Sequence, residues 1–310
     1  MNQQKWLKYF SFASMYGMFL ILVMGALVTK TESGRGCGDD WPLCNGKFVP
    51  AYTIESIIEY SHRFVVGVVG IVLLIATILV FIWCKRKDAK IFVSGAMFFT
   101  ILQAVLGALA VIWPQSSSVL ALHFGFSLMA FAFTLLLSLV FTRFGSMLSG
   151  STVSITAGLQ WGIFLITIYS YAVVYLGAFV RHTQSSGGCI GWPLCNGSII
   201  PDMIGPTRIV FAHRMGAAAL FILLLWLFLA IRSQTRSQDN IYQSAKWALI
   251  LVILQIFSGA FVTLSIGYDV YLIASLLHAV LVSALFGILC YLCVLAFLAN
   301  KQNGQAYKAR

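Results

Sequence analysis

The sequence predicts an all-α integral membrane protein whose eight transmembrane helices form two tandem four-helix bundles. Apolar residues make up 60% of the 310 residues and charged residues only 9%, whereas a soluble domain carries about 25% charged residues. The mean hydropathy is +0.91, and eight apolar runs are long enough to cross a bilayer, which takes about 20 residues. Motifs that recur across the two halves of the chain divide these runs into two groups of four.

The helices are predicted where the apolar runs occur. The first run is too long for the apolar region of a cleavable signal peptide, and no small-residue cleavage pattern follows it, so we expect it to remain in place as a helix. The eight predicted spans are 9–29, 58–83, 91–113, 119–142, 159–180, 209–231, 245–266 and 270–298.

The net charge of +11 is chiefly a signal of membrane orientation. Thirteen Lys and Arg residues lie in or next to one set of alternate connections, and seven lie at the opposite set. Positive residues accumulate on the cytoplasmic side, so both termini are predicted in the cytoplasm of a multi-pass cell-membrane protein. The longer loops then face outward. This distribution argues against a nucleic-acid-binding surface and leaves membrane lipid as the surroundings.

The two halves repeat one another. The hexapeptide WPLCNG occurs at Trp41–Gly46 and again at Trp192–Gly197, in two of the outward loops. Further pairs of matching fragments are GALVTKT at 25–31 with GAFVRHT at 177–183, HRF at 62–64 with HRM at 213–215, and QAVLGA at 103–108 with QIFSGA at 255–260.

These matches predict an internal duplication. Four helices in each unit give both units the same orientation, so we predict a parallel repeat with a pseudo-twofold axis along the membrane normal. The predicted divisions are an N-terminal half at 1–144, a cytoplasmic linker at 145–158 and a C-terminal half at 159–310.

Four of the five histidines fall a few residues into the even-numbered helices, at one predicted depth near the outer face. Any one intramembrane histidine is also explained by an interhelical hydrogen bond, and His182, at a loop edge, is interpreted as an interfacial polar residue. Ionisable groups inside a membrane are costly, and a depth-matched pair in each half therefore indicates function. The pairs are His62 with His123 and His213 with His278.

A haem in each half is the ligand that these pairs predict. Zinc needs four ligands, and each half offers few at that depth, whereas a haem needs one or two axial side chains and an apolar slot. Arg63 and Arg214, each directly after a histidine, are candidate partners for haem propionates, or they extend to water at the interface. Glycines that would let a flat macrocycle approach the backbone are Gly25, Gly67, Gly107 and Gly125, although glycine is also common at ordinary helix contacts.

Glu59 breaks the symmetry of the halves. It precedes His62 by three residues, on the same helical face, and the equivalent position in the second half is Val210. A carboxylate near a helix N-terminus also has a structural explanation in the helix dipole. An acid beside a ligand histidine in one half only predicts proton transfer there, with electron transfer left to the other half.

Four of the seven cysteines lie in the outward loops, where disulfides persist. Their spacing differs from that of CxxC motifs, so one disulfide in each loop is favoured, Cys37 with Cys44 and Cys189 with Cys195, with thiol redox chemistry as the alternative. The other cysteines lie in the cytoplasmic parts of helices and are interpreted as packing residues: Cys84, Cys290 and Cys293.

Taken together, the chain resembles the haem A synthases, in the four-cysteine form of Gram-positive bacteria. The resemblance runs nearly the full chain and is most specific in GALVTKT…C…WPLC…EYSHRF and GAFVRHT…C…WPLC…HR. That family oxidises the C8 methyl group of haem O to a formyl group in successive steps and so produces haem A. The resemblance implies a role for haem O synthase as the protein partner that supplies the substrate.

The resemblance also implies a role for each site residue. His62 and His123 would flank the substrate haem O, with Glu59 as the catalytic carboxylate. His213 and His278 would ligate a resident haem b that relays electrons to or from a donor or acceptor that the sequence does not identify. The alternatives left open are a di-haem b-type cytochrome linked to quinol, a haem carrier and a quinone-linked thiol oxidase.

Overall fold

The computed structural model describes residues 3–48, 52–113, 116–142, 145, 155–235 and 239–308, with side chains up to residue 299. These residues form eight long helices, each with a stretch apolar enough to cross a membrane, which confirms the predicted class. The helices are α1 (Gln3–Lys30), α2 (Ile54–Trp83), α3 (Lys87–Ile112), α4 (Ser117–Val140), α5 (Ala157–His182), α6 (Pro206–Gln234), α7 (Asn240–Leu264) and α8 (Tyr271–Lys308).

Hydroxyl residues that precede the first turn set the starts of three helices. The side chain of Thr53 accepts the N–H of Ser56 at 3.3 Å at the start of α2, and Ser116 and Thr156 cap α4 and α5 in the same way. These side chains satisfy N–H groups that have no partner within the helix. A proline, Pro206, occupies the first turn of α6 instead, where its missing N–H costs nothing.

The first compact unit is Met1–Thr142. Within it, α1 packs on α2 and α4, and α3 packs on the same two helices, so the four helices form a closed ring. Gly17 allows the close approach of α1 to α2, because a methyl group at that position would lie 2.6 Å from a methyl of Val69. Small residues at helix contacts have this role in membrane bundles.

The second compact unit is Arg143–Arg310. Its ring has the same order, with α5 and α7 each packed between α6 and α8. Gly216 is the small residue here, because a methyl group on it would lie 3.3 Å from Val173. Of the predicted linker 145–158, residues 146–154 lie outside the described residues, and α5 already begins at Ala157.

Apolar side chains cover the outside of the helices as well as the inside. Large residues such as Ile71, Phe98 and Ile168 are exposed at mid-helix, as expected where the surroundings are lipid. Buried hydroxyl groups bond to carbonyls one turn earlier, as Ser11 does to Leu7 at 2.7 Å. Such bonds remove the cost of a polar group away from water.

Candidate functional site

A loop closed by a disulfide follows the first helix of each half. We name residues 31–48 the first Cys loop and residues 183–205 the second Cys loop. The predicted disulfides Cys37–Cys44 and Cys189–Cys195 are both confirmed. The same backbone features recur in both loops: left-handed residues at Glu32 and Gln184 and at Asn45 and Asn196, and cis bonds at Trp41–Pro42 and Trp192–Pro193.

Each loop lies directly on the start of the following helix. Gly36 approaches the backbone of Glu55 and Ser56 so closely that any side chain would overlap it. Gly188 has the same relation to Pro206, and Thr207 donates to the Gly188 carbonyl at 2.8 Å. The repeated sequence therefore encodes a cap that is seated on α2 in one half and on α6 in the other.

An arginine one position after a site histidine fastens each cap. Arg63 donates to the carbonyls of Asp40 at 2.8 Å and Leu43 at 2.9 Å. The guanidinium of Arg214 donates at 3.0–3.2 Å to three carbonyls of the second Cys loop, those of Cys189, Gly191 and Leu194. Contact of either arginine with a haem propionate stays a prediction.

Glu59 is buried beneath the first Cys loop and has a partner on each oxygen. Oε2 accepts the backbone N–H of Cys37 at 2.8 Å, and Oε1 pairs with Arg63, which lies one turn later on α2. The carboxylate thus links the disulfide cap to the helix that carries His62. In this arrangement the Glu59 carboxylate contacts Arg63 and the first Cys loop. His62 lies three residues later on the same helix.

Val210 occupies the corresponding place in the second half. It is buried against the disulfide Cys189–Cys195, with Val180 and Phe211 alongside. Among the described residues, the side chains clustered at this position are apolar. The two residues at this position, Glu59 and Val210, therefore each contact the Cys loop of their own half.

Each of the four paired histidines lies against a glycine of the preceding helix. A methyl group at Gly25 would lie 3.5 Å from Cε1 of His62, and one at Gly107 would lie 3.3 Å from Cε1 of His123. In the second half Gly177 lies against His213 and Gly259 lies against His278, at 2.8 and 3.3 Å by the same measure. Gly25 and Gly107 thus contact histidine rings, and a methyl group on Gly67 would meet open space; approach of a macrocycle to these glycines stays a prediction.

The ring nitrogens are placed differently in the two halves. The Nδ1 atoms of His62 and His123 are buried with no hydrogen-bond partner among the described residues. In the second half, Nδ1 of His213 lies 3.2 Å from the carbonyl of Val173. Nδ1 of His278 lies 2.8 Å from the hydroxyl of Ser258.

These surroundings fit an iron porphyrin. Within each half, the two histidines lie on α2 and α4 or on α6 and α8, and His62 and His123 are close enough to interact electrostatically. Glycine in place of a larger residue lets each ring pack directly on the preceding helix. No group of three or more Cys, His, Asp or Glu side chains in the described residues is arranged for a metal ion. Paired imidazoles within an apolar bundle are able to ligate a haem iron.

The remaining predicted residues lie outside these clusters. His182 is the last residue of α5. Cys84 is buried at the end of α2, and Cys293 lies 3.2 Å from the hydroxyl of Thr167. Cys290 and Cys293 are one turn apart on α8, and both are partly buried. The described contacts are those of packing residues.

Sequence reasoning missed Ser258 and Gln255, which both contact His278. A signal was present in the fragments QAVLGA and QIFSGA, because Leu106 stands in the first where Ser258 stands in the second. Ser258 and Leu106 each stand directly before the glycine that is present in both copies, Gly259 and Gly107. The hydroxyl in only one copy therefore indicates different surroundings for the histidine beside that glycine.

Known proteins similar to this chain share most of its length. The family model described as cytochrome oxidase assembly protein (COX15-CtaA) matches residues 8–57 and 51–290. The protein named Heme A synthase of Symbiobacterium thermophilum is 40% identical to this chain, over 96% of this chain and 98% of that protein. The protein of the same name in Lysinibacillus sphaericus is 40% identical, over 97% of this chain and 98% of that protein. The one in Geobacillus kaustophilus is 42% identical, over 94% of this chain and 92% of that protein.

Proposed function

The chain belongs to the haem A synthase family, and from that membership we propose that its first half oxidises the substrate while its second half holds a redox cofactor. The substrate is haem O, whose C8 methyl group becomes the formyl group of haem A by successive oxidations at a C–H position. His62 and His123 hold the substrate, and His213 and His278 hold one haem b. The observation that carries this division is that the first half has a buried, ion-paired carboxylate at Glu59, whereas the second half has Val210 at the equivalent position.

Glu59 is the proton-handling group of this proposal. A methyl oxidation that gives up hydrogen as protons and electrons needs an acceptor for each. A positioned carboxylate is a typical proton acceptor, and the proposed haem b would relay the electrons to an acceptor outside this chain. Both oxygens of Glu59 are engaged, one by the N–H of Cys37 and the other by Arg63. Proton uptake therefore requires one of these contacts to open, and Arg63 on its flexible side chain is the partner that can move.

The two Cys loops exclude water from the histidines below them. Each loop is closed by a disulfide and is fixed to its helix by an arginine and a close glycine contact. A covered site of this kind limits solvent access to reactive species. The haem b of the second half supplies one-electron redox chemistry when bound, and the residues of α6 and α8 orient it.

The membrane arrangement completes the proposal. The distribution of Lys and Arg supports cytoplasmic termini and outward-facing Cys loops. Haem O is itself a lipid-phase molecule, so we propose that it arrives through the bilayer from haem O synthase. Transfer along the membrane suits a bundle whose outer surface is apolar.

Expression of the chain with a supply of haem O, followed by extraction and chromatography of the haems, tests this function. The wild-type chain should yield formyl-haem. Glu59→Gln should lower that yield by about 10²–10⁴-fold, the usual contribution of a positioned acid or base, and should keep a reduced b-type spectrum. Glu55→Gln is the matched control, because Glu55 lies one turn earlier on α2 with its side chain exposed.

Failure would take a definite form. Extracts that hold only unmodified haem, from a wild-type chain loaded with haem O, would favour an electron-transferring cytochrome or a carrier. Equal formyl-haem from Glu59→Gln and Glu55→Gln would remove Glu59 from the chemistry.

A further inference from the structure

The contacts of Ser258 favour one of the two tautomers of His278. The Ser258 hydroxyl lies 2.9 Å from the carbonyl of Gln255, which can only accept, so the hydroxyl proton is committed there. Ser258 Oγ, 2.8 Å from Nδ1 of His278, is then placed to accept from that nitrogen. This contact favours the ring with its proton on Nδ1 and its lone pair on Nε2, the form that binds iron.

The amide of Gln255 lies beside the same ring. Its nitrogen lies 3.1 Å from Nε2 and 3.2 Å from Nδ1 of His278, and it also donates to the His278 carbonyl at 3.2 Å. Because the amide nitrogen is nearly equidistant from the two ring nitrogens, it does not distinguish between them.

His213 is fixed in the same form by the main chain. Its Nδ1 lies 3.2 Å from the carbonyl of Val173, an acceptor only, so Nδ1 carries the proton and Nε2 the lone pair. Gly216 on α6 permits this approach, because it packs on Val173 and its carbonyl accepts the hydroxyl of Tyr169 at 3.2 Å. In the first half, Val65 stands where Gly216 would be.

The first half lacks a hydroxyl partner for either Nδ1, although the His123 ring interacts with the backbone of Gln103. Leu106, at the place of Ser258, has no acceptor in its side chain. Gln103, at the place of Gln255, is turned to the Ser127 hydroxyl and to the sulfur of Met18, 3.6 Å away. Within the described residues, Nδ1 of His62 and Nδ1 of His123 accordingly have no hydrogen-bond partner.

We propose that Ser258 and the Val173 carbonyl make the second half a haem-retaining site, and that the lack of such partners makes the first half a haem-exchanging site. The inference rests on the proposed assignment of cofactor and substrate to the two halves. A hydrogen bond to Nδ1 fixes the ring and raises its basicity as a ligand, and loss of such a partner weakens metal binding by about 10–100-fold. A synthase must release its product haem while it keeps its cofactor, and this difference between the halves meets both needs.

The test is the rate at which each half loses its haem. The purified full-length chain, with its resident haem b, is mixed in detergent with excess apomyoglobin, and haem transfer is followed by absorbance. Ser258→Ala should release haem b about 10–100-fold faster than wild type. Ser258→Thr keeps the hydroxyl and should release it at nearly the wild-type rate, which separates the hydrogen bond from simple packing.

The reciprocal variant tests the first half. Leu106→Ser places a hydroxyl at the equivalent position, and the chain loaded with haem O should then release haem O more slowly than wild type, by a similar factor. Leu106→Ala, which adds no acceptor, is its matched control and should not slow release. Because the second half is unaltered in this pair, the comparison decides the question even if Ser258→Ala fails to fold.

Two results would overturn the proposal: wild-type haem b release from folded Ser258→Ala, or equal haem O release from Leu106→Ser and Leu106→Ala. Formation of haem A by the wild-type preparation is measured alongside. Unchanged rates with haem A formed refute the retention mechanism alone, whereas no haem A from the wild-type chain refutes the proposed function.

Discussion

The two halves of this chain build the same cap over different interiors. In both, a disulfide loop rests on the next helix through a glycine, and an arginine holds its carbonyls. Beneath the first cap lies the carboxylate of Glu59, and beneath the second lies Val210. The histidines also differ, since the described Nδ1 partners are all in the second half. The two halves share the contacts that shape the Cys loops, and they differ in the side chains beneath the loops and beside the histidine rings.

The positions that differ between the two halves show where a repeated bundle can change its function. Glycines, cysteines and the arginine that shape the cap recur in both copies, because each makes a backbone contact that the loop requires. The side chain at position 59 or 210 contacts the loop above it, but the loop turns are the same in both halves. This position can therefore hold a carboxylate in one half and a valine in the other.

The largest expected effect distinguishes the two histidine pairs. His213→Ala removes one of two axial ligands of the proposed cofactor and should abolish the reduced b-type absorption of the purified chain. His62→Ala should leave that absorption and abolish haem A formation. Reduced-minus-oxidised spectra and extracted haems measure both. A b-type spectrum that survives His213→Ala but not His62→Ala would reverse the assignment of the halves.

A smaller effect is expected from the two arginines. Arg63→Ala leaves the buried carboxylate of Glu59 with only the Cys37 N–H, and loss of one partner of a buried ion pair costs about 3–5 kcal/mol. Arg214→Ala removes hydrogen bonds to carbonyls and no ion pair, at about 1.5–3 kcal/mol. Thermal unfolding in detergent ranks them. Equal losses of stability would show that the Glu59 pair adds nothing to the first cap.

The smallest effect concerns the glycines beside the rings. Gly177→Ala would bring a methyl group to 2.8 Å from Cε1 of His213, whereas Gly25→Ala would bring one to 3.5 Å from His62. The first is an overlap, which costs about 1–3 kcal/mol in a packed interior, and the second is an ordinary contact. Haem b content should therefore fall in Gly177→Ala only. Equal haem b in both variants would contradict the tighter packing of the second half.

The sequence was sufficient for the helices and the disulfides. The length of each apolar run is dictated by the bilayer, so the predicted spans differ from the helices mainly at the ends, as at α8, which continues past residue 298 to Lys308. Both cysteine pairs were predictable because each pair stands alone in its loop. The asymmetry between Glu59 and Val210 was also visible once the halves were aligned.

What the sequence concealed are contacts to the main chain. Arg63 binds the carbonyls of Asp40 and Leu43, and Glu59 accepts the N–H of Cys37. Every residue carries these backbone groups, so no pattern of side chains marks the ones used. The role of Ser258 was hidden for a related reason, since a serine within a membrane helix is expected to bond to its own helix.

The haem content of Glu59→Val tests the division of labour most directly. This substitution gives the first half the residue that the second half has at the same position. One extract from a chain expressed with haem O reports both halves: haem A for the first and haem b for the second. We predict haem A to be absent and haem b to match wild type. Haem A at the wild-type level, or loss of haem b with haem A retained, would contradict the account.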